Sequence, residues 1–145
     1  MEAELLFNLC NRFVLPAWLL LIVAPRWSWT QKIISHAWIP VLLGVAYLYA
    51  MTNAYPFPEG AGFSSLPAVM NAFTVPWLVV AGWIHYLAFD LFVGAWIARD
   101  SIRQSISHVL VIPCLVFTFL LGPVGLLLYL LVKAGIKRKL STQEI

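Results

Sequence analysis

The chain has 145 residues, of which 62% are hydrophobic and only 10% are charged, and its formal net charge is +3. Soluble domains carry about 25% charged residues, so a water-facing surface could not be built from this composition. The composition therefore excludes a soluble protein and predicts one that is integral to a membrane. The basic residues are not interleaved with aromatic residues in a patch, so no nucleic-acid partner is predicted.

Four apolar segments are long enough to cross a bilayer, because about 20 residues of helix span a hydrocarbon core of about 30 Å. They cover approximately residues 5–25, 33–54, 75–98 and 109–132. These segments predict an all-α membrane protein. The predicted architecture is a single domain, residues 1–145, built as a bundle of four transmembrane helices.

Two segments between and within these spans carry strong helix-breaking signals. The long connection after the second span contains two prolines and two glycines within residues 56–62, which exclude a helix there. Ser65 followed by Pro67 then predicts the start of a short interfacial helix over residues 66–73. In the fourth span, Pro123 predicts a kink and a backbone carbonyl that has lost its helical hydrogen bond.

The charges near the ends of the spans leave the orientation in the membrane open. With four spans, the N-terminus, the long connection and the C-terminal tail share one side, and four basic residues lie on each side. Those on the shared side are Lys133, Lys137, Arg138 and Lys139, and those on the other are Arg26, Lys32, Arg99 and Arg103. No transit segment rich in Arg and Ser precedes the first span, which predicts a retained span and a bacterial inner (plasma) membrane.

The third predicted span contains two ionisable side chains, His85 and Asp90. A charge at that depth costs a few kcal/mol or more, so it is usually kept by a partner or a function. At 100° per residue, Asp90 shares its helix face with Trp83 and Tyr86, whereas His85 lies about 140° away. The two groups would converge only if both faces were buried in the bundle. Arg12 in the first span is nearer in depth to His85 than to Asp90.

Each of these polar residues also has a structural interpretation. Asp90 and His85 could anchor neighbouring helices by hydrogen bonds, Arg12 could extend to the headgroups, and Asn8 and Asn11 could hold helices together. No pair of histidines has metal-ligand spacing, and the two cysteines lie inside predicted spans, so neither a metal nor another cofactor is predicted. The 21 aromatic residues could line a groove for an elongated apolar ligand such as a polyene.

The segment from Trp83 to Ile97 resembles the signature of the abscisic-acid-deficient-four-like proteins. It reads Trp83-Ile84-His85-Tyr86-Leu87-Ala88-Phe89-Asp90-Leu91-Phe92-Val93-Gly94-Ala95-Trp96-Ile97. Asp100, the segment Gly122-Pro123-Val124-Gly125 and four spans in a chain of this size also fit this family. Its plant members are plastid membrane proteins required to make neoxanthin from violaxanthin, and this chain resembles a bacterial-type member.

The resemblance implies a membrane protein that acts on or binds a carotenoid-like lipid. The reaction implied is the isomerisation of a carotenoid epoxide without a redox cofactor. In this hypothesis a protonated Asp90 is the acid and His85 is the base, while Tyr86 or Arg12 orients the oxygen. The remaining candidate substrate-binding residues are Trp83, Phe89 and Asn8.

Two other classes of function stay open. One is a bundle that binds a carotenoid or another apolar lipid without chemistry, or that assists another membrane protein. The other is a small transporter or proton relay, because buried Asp and His residues also occur in proton pathways. The expected partners are the lipid bilayer, an elongated apolar ligand and a second copy of the chain in a homo-oligomer.

Overall fold

The computed structural model describes residues 2–34 and 38–137, apart from the side chains of Gln31 and Lys137. Within these ranges the chain is helical and contains no β-strand, so the prediction of an all-α membrane protein is confirmed. The helices of the described residues are α1 (Ala3–Val23), α2 (Ser28–Ile34), α3 (Trp38–Asn53), α4 (Leu66–Ala72), α5 (Pro76–Arg103), α6 (His108–Leu121) and α7 (Pro123–Lys137).

The first three predicted spans correspond to helices that are long and apolar enough to cross a membrane. These are α1, the α2–α3 segment, and α5. The α2–α3 segment runs over residues 28–53, of which 35–37 lie outside the described residues. His36, which the sequence places near this end of the second span, is among the residues that are not described.

Paired contacts at both ends show that α1 and α5 are parallel neighbours. The rings of Phe7 and Trp83 lie 5.5 Å apart near the start of each helix, and Trp18 packs on Gly94 further along. A Cβ atom at Gly94 would lie 2.6 Å from the Trp18 ring, so only glycine allows this approach. In contrast, α3 runs antiparallel to α5, because Tyr49 contacts Trp77 and Tyr47 contacts His85.

The predicted fourth span is not a single crossing but a hairpin of two helices. α6 ends at Leu121, Gly122 adopts φ +45°, and α7 begins at Pro123. In a continuous helix Cys114 and Gly125 would be about 16 Å apart. Instead, a Cβ atom at Gly125 would overlap the Thr118 backbone and the Cys114 carbonyl oxygen. The chain therefore reverses at Gly122, where the sequence alone predicted only a kink.

Polar contacts attach one arm of the hairpin to the end of α1 and the other to the end of α5. Near the start of α6, the His108 ring hydrogen-bonds the carbonyl oxygen of Ile22 at the end of α1 (2.7 Å). Tyr129 and Lys133 of α7 both bond to Asp100 in the last turns of α5. α6 has 14 residues and α7 has 15, about 21 Å and 22 Å, so the described part of each arm is shorter than the hydrocarbon core.

This hairpin places the C-terminal end of α7 at the same end of the bundle as the ends of α1 and α5. The described basic residues other than Arg12 therefore gather at that end, and three glutamates lie at the opposite end. The basic residues are Arg26, Lys32, Arg99, Arg103, Lys133 and Lys137, and the glutamates are Glu2, Glu4 and Glu59. Because the positive-inside rule counts short segments near helix ends, the near tie predicted for four spans becomes a clear bias.

We therefore expect the basic end to face the cytoplasm when the chain is expressed in bacteria, with the two termini on opposite sides. A fluorescent protein fused after residue 145 should fluoresce, whereas alkaline phosphatase at the same place should be inactive. The same two reporters inserted at Gly60 in the long connection should give the reverse result. Identical results at the two positions would contradict the hairpin.

The long connection between α3 and α5 is folded rather than extended. The Ser65 hydroxyl caps α4 by accepting a hydrogen bond from the Ala68 amide (3.3 Å), as the sequence predicts. The Asn71 side-chain amide donates to the Glu59 carbonyl oxygen (2.7 Å) and ties the two halves of the connection together. The position of α4 on the bilayer surface stays a prediction.

Candidate ligand-binding site

Two cavities lie end to end between α3 and α5. The first, of about 310 Å³, is covered by the long connection, and the second, of about 450 Å³, continues along the two helices. Tyr47 and His85 line both cavities and are, among the described residues, the two lining side chains that carry nitrogen or oxygen. We call the two cavities together the α3–α5 groove.

His85 is held in this groove by aromatic neighbours on both helices. Its ring lies 4.6 Å from the ring of Phe89, one turn later on α5, and 6.4 Å from the ring of Tyr47 on α3. The i, i+4 spacing places His85 and Phe89 on the same face of α5. An imidazole and a phenol thus face each other halfway along an otherwise apolar groove.

Asp90 lies on a different face of α5 and meets the turn of the α6–α7 hairpin. One carboxylate oxygen would be 2.6 Å from a Cβ atom at Gly122, so the carboxyl group packs directly on that glycine. The other oxygen is buried and has no hydrogen-bond partner among the described residues. Asp90 is therefore a half-buried side chain with one buried oxygen, near the middle of α5 and outside the α3–α5 groove.

Tyr86 hydrogen-bonds the backbone carbonyl group that Pro123 leaves without a helical partner. A residue at position 123 with an N–H group would donate to the Phe119 carbonyl in a continuous helix, and proline cannot do so. The Tyr86 hydroxyl instead donates to the Phe119 oxygen at 3.0 Å, and it also lies near the Asp90 carboxyl group. The predicted freed carbonyl and its satisfaction by a neighbouring helix are thus observed.

Trp83 lies on the same face of α5 as Tyr86 and makes a polar contact with α1. Its indole N–H donates to the side-chain oxygen of Asn11 at 3.0 Å, and Asn11 in turn donates to the Phe7 carbonyl at 2.9 Å. Trp83 also packs against the ring of Tyr86, with 5.3 Å between ring centroids. The helical spacing therefore brings Trp83, Tyr86 and Asp90 together on one face, as expected.

The other two candidates from the first span lie apart from both groups. Arg12 lines a separate apolar groove between α1 and the α2–α3 segment, and Asn8 is exposed on α1. Asn11 rather than Asn8 contacts the signature segment. The structure thus divides the seven candidates into Trp83, Tyr86 and Asp90 on one face of α5, His85 and Phe89 in the α3–α5 groove, and Arg12 and Asn8 elsewhere.

A buried ion pair between α5 and α7 went unrecognised in the sequence. Asp100 accepts hydrogen bonds from the Tyr129 hydroxyl and the Lys133 ammonium group, both at 2.6 Å, and Arg103 lies 3.6 Å from its other oxygen. Asp100 and Lys133 are only 1% and 2% exposed. Lys133 follows three apolar residues and precedes Ala134, which was the available signal that it is not part of the basic tail.

Tyr47 is the groove residue that sequence reasoning missed. It lies in an apolar stretch of α3 with no motif around it, so only its position opposite His85 marks it.

Among the described residues, no group of three His, Cys, Asp or Glu side chains could hold a metal ion. Cys10 and Cys114 are buried with free thiols.

Fold and site together define a helical membrane protein with an aromatic groove between two membrane-crossing helices and a helical hairpin beside them. The family model described as ABA DEFICIENT 4-like matches residues 5–129 of the chain. The chain therefore belongs to the ABA DEFICIENT 4-like family, as the segment from Trp83 to Ile97 indicated.

The protein ABA DEFICIENT 4, chloroplastic, of Arabidopsis thaliana is 28% identical to this chain over 145 residues. The match covers 94% of this chain but only 64% of the length of that relative. No solved structure matches the chain.

Proposed function

We propose that the protein binds a carotenoid-class lipid in the α3–α5 groove and isomerises an oxygen-bearing end group of that lipid. The observation that carries this proposal is the position of His85 and Tyr47, the two polar side chains of the groove, where its two cavities meet. Ligand sites are typically apolar clefts with a few polar groups that fix orientation. Membership of the ABA DEFICIENT 4-like family supports the choice of a carotenoid-class ligand.

The proposed reaction converts a ring epoxide into an allenic alcohol, so that no atoms are gained or lost. The acid donates a proton to the epoxide oxygen as its carbon–oxygen bond breaks. The base removes a proton from the adjacent polyene carbon, and the electron pair of that carbon–hydrogen bond forms the new double bond. The proton then returns from the base to the acid, which completes the cycle without a redox cofactor.

In the groove, His85 is suited to be the base and the Tyr47 hydroxyl to be the acid. Their rings are neighbours, with 6.4 Å between centroids, and both side chains line the space that a ligand in the groove would occupy. Asp90, which the sequence hypothesis gave the acid role, packs on Gly122 on another face of α5. In this proposal Asp90 supports the hairpin, and the catalytic pair is His85 with Tyr47.

Expression in cells that accumulate an epoxide carotenoid tests the function and the assignment of residues together. The unmodified chain should produce the allenic isomer, detected by chromatography of the pigments. His85→Phe and Tyr47→Phe should each lower product formation by about 10²-fold or more, as loss of a general acid or base does. Asp90→Asn, at equal protein level, should retain activity. Loss of product only with Asp90→Asn would restore the acid role to Asp90.

A second candidate function is binding without chemistry, favoured by the exposure of the groove to the bilayer. Phe89 and Phe92 line its second cavity and are 59% and 48% exposed. Mass spectrometry of pigments that co-purify in mild detergent tests this function. A bound carotenoid in the absence of any isomer would favour it over catalysis. A bacterial inner membrane and a homo-oligomeric state stay part of the proposal, although the Arabidopsis relative is chloroplastic and gives no support for a bacterial membrane.

A further inference from the structure

The two cavities of the α3–α5 groove differ in how they are closed. The first cavity is covered by the long connection, and Phe57, Phe63 and Phe73 form part of its wall. Hydrogen bonds within the connection fix its conformation. They run from the Asn71 side chain to the Glu59 carbonyl and from the Gly62 amide to the Ala68 carbonyl (3.2 Å). The first cavity therefore ends at the long connection, and we call it the closed cavity because the connection covers it.

The second cavity opens sideways toward the bilayer. A Cβ atom at Gly44, in its α3 wall, would meet nothing within 4 Å. Val41, also on α3, is 56% exposed, and Phe89 and Phe92 on the facing helix are exposed as well. No element of the described chain covers this side of the groove, so an apolar chain leaving His85 in this direction enters lipid.

The dimensions of the groove limit how much of an elongated ligand it can hold. The α5 residues that line it run from Leu78 to Phe92, which corresponds to about 21 Å of helix. The closed cavity, at about 310 Å³, is at the lower limit of the range for small-molecule sites. It has room for an end group rather than for a whole polyene.

We propose that the site holds one end group of its ligand in the closed cavity and leaves the other end in the bilayer. This inference rests on the proposed function and adds its specificity: the protein distinguishes ligands by one end group and is indifferent to the length and structure of the other end. Phe63 and Phe73 would determine which end group enters, and His85 with Tyr47 would contact the atoms next to it.

Binding of two matched probes to the purified protein in detergent tests this inference. The first probe is a full-length carotenoid with an oxygenated ring at each end, and the second is a truncated polyene aldehyde that keeps one such ring. Both quench tryptophan fluorescence on binding, which gives Kd. We expect their Kd values to agree within about threefold, which corresponds to less than 1 kcal/mol.

Three variants separate the two ends of the groove. Gly82→Leu fills the closed cavity, where a Cβ atom at Gly82 already lies 3.0 Å from the Phe73 ring, and should weaken both probes at least tenfold. Phe63→Ala removes a side chain that is 87% exposed and should weaken both probes equally without affecting folding. Gly44→Leu narrows the open side and should weaken only the full-length probe. Gly135→Leu, at a position in α7 with nothing within 4 Å, is the control.

A truncated probe that binds more than about tenfold weaker than the full-length carotenoid would overturn the inference, because the second end would then be recognised. Equal weakening of both probes by Gly44→Leu, or unequal weakening by Phe63→Ala, would overturn it as well. In each of these cases the full-length carotenoid still binds, so the proposed function survives. If the unmodified protein binds neither probe, the proposed function itself fails.

Discussion

Replacing Lys133 by methionine is expected to destabilise the protein by about 3 kcal/mol, at the lower end of the cost of breaking a buried ion pair, because Asp100 keeps Tyr129 and the partly exposed Arg103 as partners. The Lys133 ammonium group lies 2.6 Å from the Asp100 carboxylate, and both side chains are almost completely buried. Methionine retains most of the volume of lysine but cannot donate a hydrogen bond. Thermal unfolding in detergent, monitored by circular dichroism, measures the change.

The double variant Asp100→Asn with Lys133→Met is the matched control. It removes both charges, so it should recover most of the lost stability even though Tyr129 keeps only a neutral partner. If Lys133→Met alone were as stable as the unmodified chain, the ion pair would not fasten α7 to α5. The C-terminal arm of the hairpin would then need another attachment.

Replacing Gly122 by alanine is expected to cost about 1–3 kcal/mol from backbone strain alone, because Gly122 adopts φ +45° and ψ −93° at the turn of the hairpin. The added methyl group would also collide with the Asp90 carboxyl group, whose nearer oxygen lies 2.6 Å from the Cβ position. This contact displaces Asp90 and adds to the loss of stability. The same unfolding measurement applies.

Pairing Gly122→Ala with Asp90→Ala separates the two contributions. The second substitution removes the collision and should return only that part of the stability, while the backbone strain remains. Gly135→Ala, in a helix with open space around it, should be neutral or slightly stabilising because alanine favours the helix. Full recovery in the paired variant would mean that the turn at Gly122 is unstrained.

Much of the fold follows from local properties of the sequence. Apolar runs of about 20 residues identify α1, the α2–α3 segment and α5, because only a helix satisfies its backbone polar groups within lipid. The helical period placed Trp83, Tyr86 and Asp90 on one face and His85 on another, and the structure agrees. The loss of an N–H group at Pro123 predicted a free carbonyl, which Tyr86 fills.

Only part of the candidate site could be predicted from local properties of the sequence. Tyr47 lies 38 residues before His85 in the sequence, and nothing in its surroundings predicts that the two face each other. Position along the chain groups Lys133 with the basic tail, and the apolar residues on either side of it are the local sign of a different depth. Its burial depends on Asp100, 33 residues away, and on the direction in which α7 runs.

Composition and helical period are enough to establish that the chain is helical, that it belongs in a membrane, and which residues share a face of α5. The reversal at Gly122, the gathering of the basic residues at one end, and the different neighbours of Asp90 and His85 became visible only in the folded structure. The physical reason is that helical period and hydrophobicity are properties of one segment, whereas a glycine–proline break permits both a kink and a reversal. The choice between them depends on contacts with other helices, here the ion pair at Asp100 and the packing of Gly125 on Thr118.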